Sequence, residues 1–141
     1  METDLLERFV AAQEDVYDRA CGELQAGRKR SHWMWFIFPQ MRGLGRSPTA
    51  HFYGIADAGE ARAYLAHPVL GARLRHCVQL LLAHADIPLR MVLGPPDDLK
   101  SRSCLTLFEA VADEDTDRAL FAQALDAFHD GRRDAKTLEL L

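Results

Sequence analysis

The clearest signal for the fold lies in the sequence LGARLRHCVQLLLAHA, which covers residues 70–85. Its apolar side chains recur every three or four residues, and this spacing places them on one face of an α-helix. The stripe consists of Leu70, Leu74, Cys77, Val78, Leu81, Leu82 and Ala85. The segment therefore predicts an amphipathic helix of about four turns with one face against a core.

Helical signals continue on both sides of this stripe. Upstream, apolar residues at helical spacing predict one long first helix that ends at Gly27. Sequence features that are typical of helix starts stand at Ser47-Pro48, Asp57, Asp97 and Thr116. The chain is therefore predicted to form a single all-α domain over residues 1–141, an irregular globule of seven or eight mostly short helices.

One stretch fits a strand as well as a helix. Residues 31–39 have the sequence SHWMWFIFP, and aromatic and β-branched side chains are favoured in strands. A lone strand would have no partner in an otherwise helical chain. We therefore predict a buried helical turn that ends before Pro39.

The composition is typical of a globular protein. Of the 141 residues, 48% are hydrophobic and 27% are charged, which is too apolar for a disordered chain. The longest strongly apolar run, Trp33–Pro39, is far shorter than the roughly 18 residues that span a membrane. The first residues are acidic, unlike those of a secretory signal. The three cysteines form no short-spaced pair, which favours free thiols in a cytoplasmic protein.

Charge is distributed unevenly along the chain. The formal net charge is −4, yet residues 24–56 contain five basic residues and no acidic one. Residues 1–23, by contrast, carry a net charge of −5. A local positive field attracts anions even on an acidic protein. Two interpretations remain open: the basic stretch binds an anionic ligand, or the neighbouring acidic residues neutralise it.

The basic stretch also contains both tryptophans of the chain. Its candidate ligand-binding residues are Arg28, Lys29, Arg30, His32 and Trp33. Basic and aromatic side chains together are typical of sites that bind nucleotides or single-stranded nucleic acid. The alternative is that the rings fill the core. Trp33 and Trp35 would lie on different faces of a helix, so we expect at most one of them to be fully buried.

Two further segments carry candidate donors for an anion. The loop GLGRS at residues 43–47 opens a predicted helix, and backbone N–H groups in such loops bind phosphates. The spacing of its glycines is not that of a P-loop, and the alternative is a structural turn. A polar cluster at residues 100–106 is either a helix boundary or a second wall of the same cleft. The candidates from these segments are Gly45, Ser47, Lys100, Arg102 and Ser103, and Gln40, which precedes the loop, is a further candidate.

Catalysis and metal binding have less support in the sequence. Cys104 would need a lowered pKa and a nearby base to act as a nucleophile, and buried inert thiols are more common. The six histidines are scattered, with no pair three or four residues apart. No metal site and no cofactor are therefore predicted.

Several motifs together resemble one protein family. They are LLERFVAAQEDVY at residues 5–17, GRKRSHWMWFIFPQ at 27–40, GLG at 43–45, AYLAHPVLGARL at 63–74 and the run from Asp98 to Phe108. On these motifs the chain is identified as a member of the domain-of-unknown-function family 1810. Members have sometimes been labelled calpastatin, a label that these residues do not support. The resemblance implies a small all-α protein, mostly bacterial, and it implies no established activity.

Three functions are consistent with these residues. The first is a module that binds an anionic small molecule, such as a nucleotide or a phosphorylated metabolite, between the basic stretch and the Lys100 region. The second is an enzyme that uses His32 as an acid or base, and the third is a protein-interaction module with an exposed aromatic patch. A concave site favours the ligand and a flat surface favours a protein partner. Duplex nucleic acid and membranes are not predicted as partners, and the sequence indicates no particular protein partner.

Overall fold

The computed structural model describes residues 2–141, with side chains described from Leu5 onward. Over this part of the chain the structure has ten helices and one isolated β-bridge, between Met41 and Ile55. The helices are α1 (Glu2–Glu14), α2 (Tyr17–Gln25), α3 (Met34–Ile37), α4 (Pro48–Phe52), α5 (Ala58–Ala66), α6 (Leu70–Leu82), α7 (Leu89–Val92), α8 (Asp97–Val111), α9 (Asp115–His129) and α10 (Ala135–Leu140). The all-α prediction is confirmed, whereas the predicted number of seven or eight helices is wrong.

The number differs partly because the predicted first helix is two helices, α1 and α2. Neither glycine nor proline stands between them, so the sequence contains no breaker there. Near the break Gln13 is only 1% exposed, and its amide donates hydrogen bonds to the carbonyl of Phe36 and the hydroxyl of Tyr64. A hydrophobic pattern does not reveal such a buried polar anchor. The single turns α3 and α7 also add to the number.

Side-chain caps account for two of the four predicted helix starts. Helices α8 and α9 begin without a side-chain cap, and the predicted cap Thr116 lies inside α9. Ser47 accepts a hydrogen bond from the Ala50 amide at the start of α4, with Pro48 in the first helical position. Asp57 caps α5 in the same way. The buried turn predicted before Pro39 is α3. None of the helices in the described residues is long and apolar enough to cross a membrane.

The core is organised around α8, which packs against α5, α7, α9 and α10. Aromatic rings link the layers: Phe9 meets Tyr64 edge-on with centroids 5.1 Å apart, and Tyr64 lies 5.4 Å from Phe108. Phe108 in turn lies 6.0 Å from Phe121 of α9. Burial of each phenylalanine side chain contributes about 1.5–3 kcal/mol. This packing fixes α8 in place and leaves the outer side of its first turns open to α3.

Candidate functional site

A groove lies between α3, the first half of α8 and the start of α10. It consists of three adjoining cavities that all include Lys100, and we call it the Lys100 groove. The His32 end, of about 350 Å³, is lined by Lys29, His32, Met34, Trp35, Pro95, Pro96, Asp97 and Lys100. A narrow slot of about 10 Å³ is lined by Met34, Trp35, Phe38, Gln40, Ala50, Tyr53, Gly54 and Lys100. The Lys136 end, of about 250 Å³, is lined by Gln40, Leu44, Gly45, Pro96, Leu99, Lys100, Arg102, Ser103, Asp134 and Lys136.

The loop that leads into α3 is held by Glu23 of α2. Its Oε1 atom accepts hydrogen bonds from the amides of Arg30 (2.7 Å) and Ser31 (3.0 Å). Oε1 also accepts the indole N–H of Trp33 at 2.9 Å, and Oε2 accepts the Ser31 hydroxyl at 2.6 Å. Burial opposes ionisation of this carboxyl, but the four hydrogen bonds outweigh burial and lower its pKa to about 2. Glu23 is therefore ionised at neutral pH and fixes one wall of the groove.

The two tryptophans have different environments, as the sequence predicts. Trp33 is 0% exposed, with the Lys29 ammonium 5.1 Å from its ring, so it offers no free face to a ligand. Trp35 is half-buried and lines both the His32 end and the slot. The ammonium of Lys100 lies 5.4 Å from the centroid of the Trp35 ring, and the His32 ring lies 6.5 Å from it. The accessible aromatic wall of the groove is therefore Trp35.

Two lysines share one carboxylate at the His32 end. The Nζ atom of Lys29 lies 3.0 Å from Oδ2 of Asp97, and Nζ of Lys100 lies 3.7 Å from Oδ1. The Lys29 side chain is 8% exposed, and its backbone amide donates to the Val92 carbonyl at 2.6 Å. Lys29 is thus built into the structure, whereas Lys100, with 30% of its side chain exposed, is the more accessible cation.

The Lys136 end has the larger excess of positive charge. Lys100, Arg102 and Lys136 line it together with one carboxylate, that of Asp134. This carboxylate caps α10, accepts a hydrogen bond from the Ser103 hydroxyl at 3.3 Å and lies 3.6 Å from Nη2 of Arg102. Lys136 is exposed and has no carboxylate within 4.0 Å among the side chains that the structure describes. An anion at this end would meet three cations and one carboxylate that is already engaged.

The polar cluster of residues 100–106 is not a helix boundary, because α8 continues through it. The Ser101 hydroxyl donates to the Asp98 carbonyl at 2.7 Å, and Thr106 bonds back one turn in the same way. These hydroxyls are satisfied within the helix and do not end it. Because the helix is continuous, Lys100 and Ser103 lie one turn apart on the side that faces the groove.

The structure brings many of the predicted site residues together. The Lys100 groove includes Lys29, His32, Gln40, Gly45, Lys100, Arg102 and Ser103. Four others line none of its cavities: Arg28 and Arg30 are exposed, Trp33 is buried, and the Ser47 hydroxyl caps α4.

The groove residues that were not among the predicted site residues include Trp35, Asp97, Asp134 and Lys136. The two-residue offset from Trp33 was a usable signal for Trp35, because only one of the two rings was expected to be fully buried. No sequence signal connects Asp134 or Lys136 with the basic stretch, since α10 reaches the groove only through its packing on α8.

The two catalytic candidates from the sequence, Cys104 and His32, receive no geometric support. Cys104 is 0% exposed, and burial raises the pKa of its thiol. His32 is exposed, and no side-chain hydrogen bond to it occurs within residues 5–141. The same residues contain no group of three or more His, Cys, Asp or Glu side chains placed to hold a metal ion.

One protein family and one solved structure match this protein over nearly the whole chain. No curated protein matches it. Among solved structures, it is similar to the crystal structure of the conserved hypothetical protein Rv1873 from Mycobacterium tuberculosis, with 47% identity and a TM-score of 0.88 over 96% of this chain and 95% of that chain. The family model described as "Protein of unknown function (DUF1810)" matches residues 3–141. The resemblance found in the sequence motifs is therefore confirmed, and the chain belongs to the DUF1810 family.

Proposed function

We propose that this protein binds a small anionic metabolite, a nucleotide or another phosphorylated compound, in the Lys100 groove. The observation that carries the proposal is an excess of positive charge around a concave site with an aromatic wall. The charged side chains that line the groove are Lys29, Lys100, Arg102 and Lys136, against Asp97 and Asp134. Concave sites with a few convergent polar groups are the usual form of small-molecule sites.

The two larger cavities suit different parts of such a ligand. The Lys136 end suits the anionic group, because its cations outnumber its single carboxylate. The His32 end suits the organic part, because Trp35 offers a ring there. The slot has room for about one water molecule, so the ligand is expected in the two ends, which meet at Pro96 and Lys100. Lys100 would then contact both parts.

The alternative functions have weaker support. A protein-interaction module needs an exposed aromatic patch, but among the aromatic residues of segment 33–38 only Trp35 is more than marginally exposed. An enzyme that uses His32 needs a carboxylate or nucleophile within hydrogen-bond reach of the imidazole, and no observation favours one. The proposal includes a cytoplasmic location, since unpaired cysteines are typical of reducing compartments.

Ligand binding is tested with a defined panel and two variants. The panel contains inorganic phosphate, pyrophosphate, AMP, ADP and glucose 6-phosphate, at one fixed salt concentration. A panel member that binds should raise the Tm of the wild-type protein by mass action. Lys100→Ala should weaken its Kd, measured by calorimetry, about tenfold to a hundredfold, because a charge-assisted contact contributes about 1.5–3 kcal/mol.

Arg28→Ala is the matched control, because it removes the same unit of charge from an exposed residue outside the groove. Its Kd should remain within about twofold of the wild-type value, since an exposed charge that lines none of the three cavities is screened by salt. The proposal is overturned if no panel member raises the Tm, or if both variants lose affinity equally.

A further inference from the structure

One carboxylate oxygen in the Lys100 groove has no hydrogen-bond donor. It belongs to Asp97, the first residue of α8, which lines the His32 end. Its Oδ2 atom is engaged by Lys29, whose Nζ lies 3.0 Å away. Its Oδ1 atom lies 3.7 Å from Nζ of Lys100, which is beyond hydrogen-bond range, and no side chain or amide among the described residues donates to it. Oδ1 is therefore an uncommitted acceptor inside the groove.

The ion pair with Lys29 accounts for only one of the two oxygens. The Lys29 side chain is 8% exposed, and a cation with so little contact to water needs a counter-ion, which Oδ2 provides. Oδ1 is not buried and stays open to the cavity. A carboxylate repels phosphate oxygens but accepts hydrogen bonds from hydroxyl groups. The His32 end is therefore suited to hydroxyl groups of a ligand and not to its anionic group.

Trp35 lines the same cavity as this acceptor. The Lys100 ammonium lies 5.4 Å from the centroid of the Trp35 ring and 3.7 Å from Oδ1 of Asp97, so ring, cation and acceptor are close neighbours. Aromatic side chains stack with nucleobases. Lys100 also lines the Lys136 end, where cations are in excess. The ring, the free acceptor and the cations thus match the base, the sugar and the phosphate of a nucleotide.

We propose that the ligand of the Lys100 groove is a ribonucleotide, and that Asp97 selects it by accepting a hydrogen bond from a hydroxyl group of the ribose. This inference rests on the proposed function, because it requires that the groove binds a phosphate group. A sugar phosphate offers no planar ring to Trp35, and a dideoxynucleotide offers no ribose hydroxyl to Asp97. Asp97 is therefore a specificity-determining residue of the site.

The test compares a ribonucleotide with its 2′,3′-dideoxy form. Calorimetry on the wild-type full-length protein first ranks AMP, GMP, CMP and UMP, and pyrophosphate serves as a probe with neither base nor ribose. We expect the dideoxy form of the tightest nucleotide to bind about tenfold to a hundredfold more weakly, because a hydrogen bond to a charged acceptor is lost.

Asp97→Ala separates recognition of the ribose from the effect of charge. In this variant the two nucleotides should bind with Kd values within about twofold of each other, because neither finds the acceptor. Pyrophosphate should bind at least as tightly as it binds to wild type, because a negative charge has been removed from the site. A purely structural role of Asp97 would instead change the Kd values of both nucleotides by the same factor.

Two further variants keep this test decisive. Asp97→Ala leaves Lys29 without its counter-ion, so a double variant with Lys29→Met and Asp97→Ala removes both charges, and it should lose the same preference for ribose. Asp86→Ala is the matched control, because Asp86 is an exposed carboxylate that lines none of the three cavities. It should keep the full preference.

The outcomes distinguish this inference from the proposed function. The inference is wrong, and the proposed function stands, if pyrophosphate binds and Lys100→Ala weakens it while no nucleotide binds. The same holds if wild type binds the dideoxy form as tightly as the ribonucleotide, or if both Asp97 variants keep the preference. Both are wrong if neither the nucleotides nor pyrophosphate nor any sugar phosphate binds.

Discussion

At the scale of a single residue, the Glu23 carboxylate holds the loop that leads into α3 and forms one wall of the groove. Glu23→Gln keeps the shape of the side chain but places an amide NH₂ where one carboxylate oxygen accepts a donor. We expect the substitution to lower the free energy of unfolding by about 1–3 kcal/mol at pH 7, because it loses hydrogen bonds to a charged acceptor. Urea denaturation of the two proteins measures this difference.

The pH dependence of that difference has a definite sign. The pKa of Glu23 is lowered from an ordinary value of 4.5 to about 2 on folding, so its contribution is fully present above pH 4.5. The contribution is then lost as the pH falls towards 2, and the stabilities of wild type and Glu23→Gln should converge over this window. Glu14→Gln, at an exposed carboxylate, serves as the control and should differ little from wild type at any pH. A Glu23→Gln difference that stays constant from pH 6 to pH 2.5 would contradict the role of the ionised carboxylate.

Single residues also show what the sequence could predict and what it could not. The spacing of Trp33 and Trp35 indicated that at most one of them would be fully buried, and this is confirmed. The spacing did not indicate which one. Trp33 is the buried one, because Glu23 supplies an acceptor for its indole N–H inside the structure. The pairing of these two residues depends on how the loop folds back on α2.

At the scale of helices, the junction of α5 and α6 depends on a close approach at Gly71. A Cβ atom at this position would lie 2.0 Å from the Leu65 carbonyl oxygen, which is backbone and cannot move alone. We expect Gly71→Ala to force the two helices apart and to destabilise the protein by more than about 2 kcal/mol, in the range of overpacked cores. Thermal or urea unfolding measures the effect.

Gly22 provides the opposite case within α2. A Cβ atom there would meet nothing within 4 Å, so Gly22→Ala should stabilise the protein by about 0.5–1 kcal/mol through helix propensity. A Gly71→Ala protein as stable as wild type would contradict the close approach at Gly71. A destabilised Gly22→Ala protein would contradict the helix-propensity argument at Gly22.

Helix type was easier to predict than helix boundaries. The apolar stripe of α6 and the caps of α4 and α5 are local signals, and the structure contains these helices where they were predicted. The break between α1 and α2 coincides with the buried anchor Gln13, whose partners are distant in the chain. Conversely, Ser101 suggested a boundary within α8, but its hydroxyl bonds back to the preceding turn and the helix continues.

At the scale of the whole molecule, the fold determines which charges meet. The acidic residues before the basic stretch were candidates to neutralise it, yet Glu23 binds backbone amides and an indole, and Lys29 pairs with Asp97 instead. Lys136 joins the groove from the last helix. Residue types and local spacing therefore predicted many residues of the groove. Its net charge depends on contacts between residues that are far apart in the chain, and no local sequence pattern indicates those contacts.

The most direct test of ligand binding in the Lys100 groove is a fluorescence titration of wild type and Trp35→Phe with the tightest-binding anion of the panel. Trp35 borders the groove and Trp33 is buried, so the two proteins differ in the tryptophan that would contact a ligand. We expect the emission of the wild-type protein to change until the site saturates, and the emission of Trp35→Phe to stay constant while calorimetry still detects binding. If the emission of Trp35→Phe changed on titration by as much as that of the wild type, the anion would bind outside the groove, and this result would contradict the proposed site.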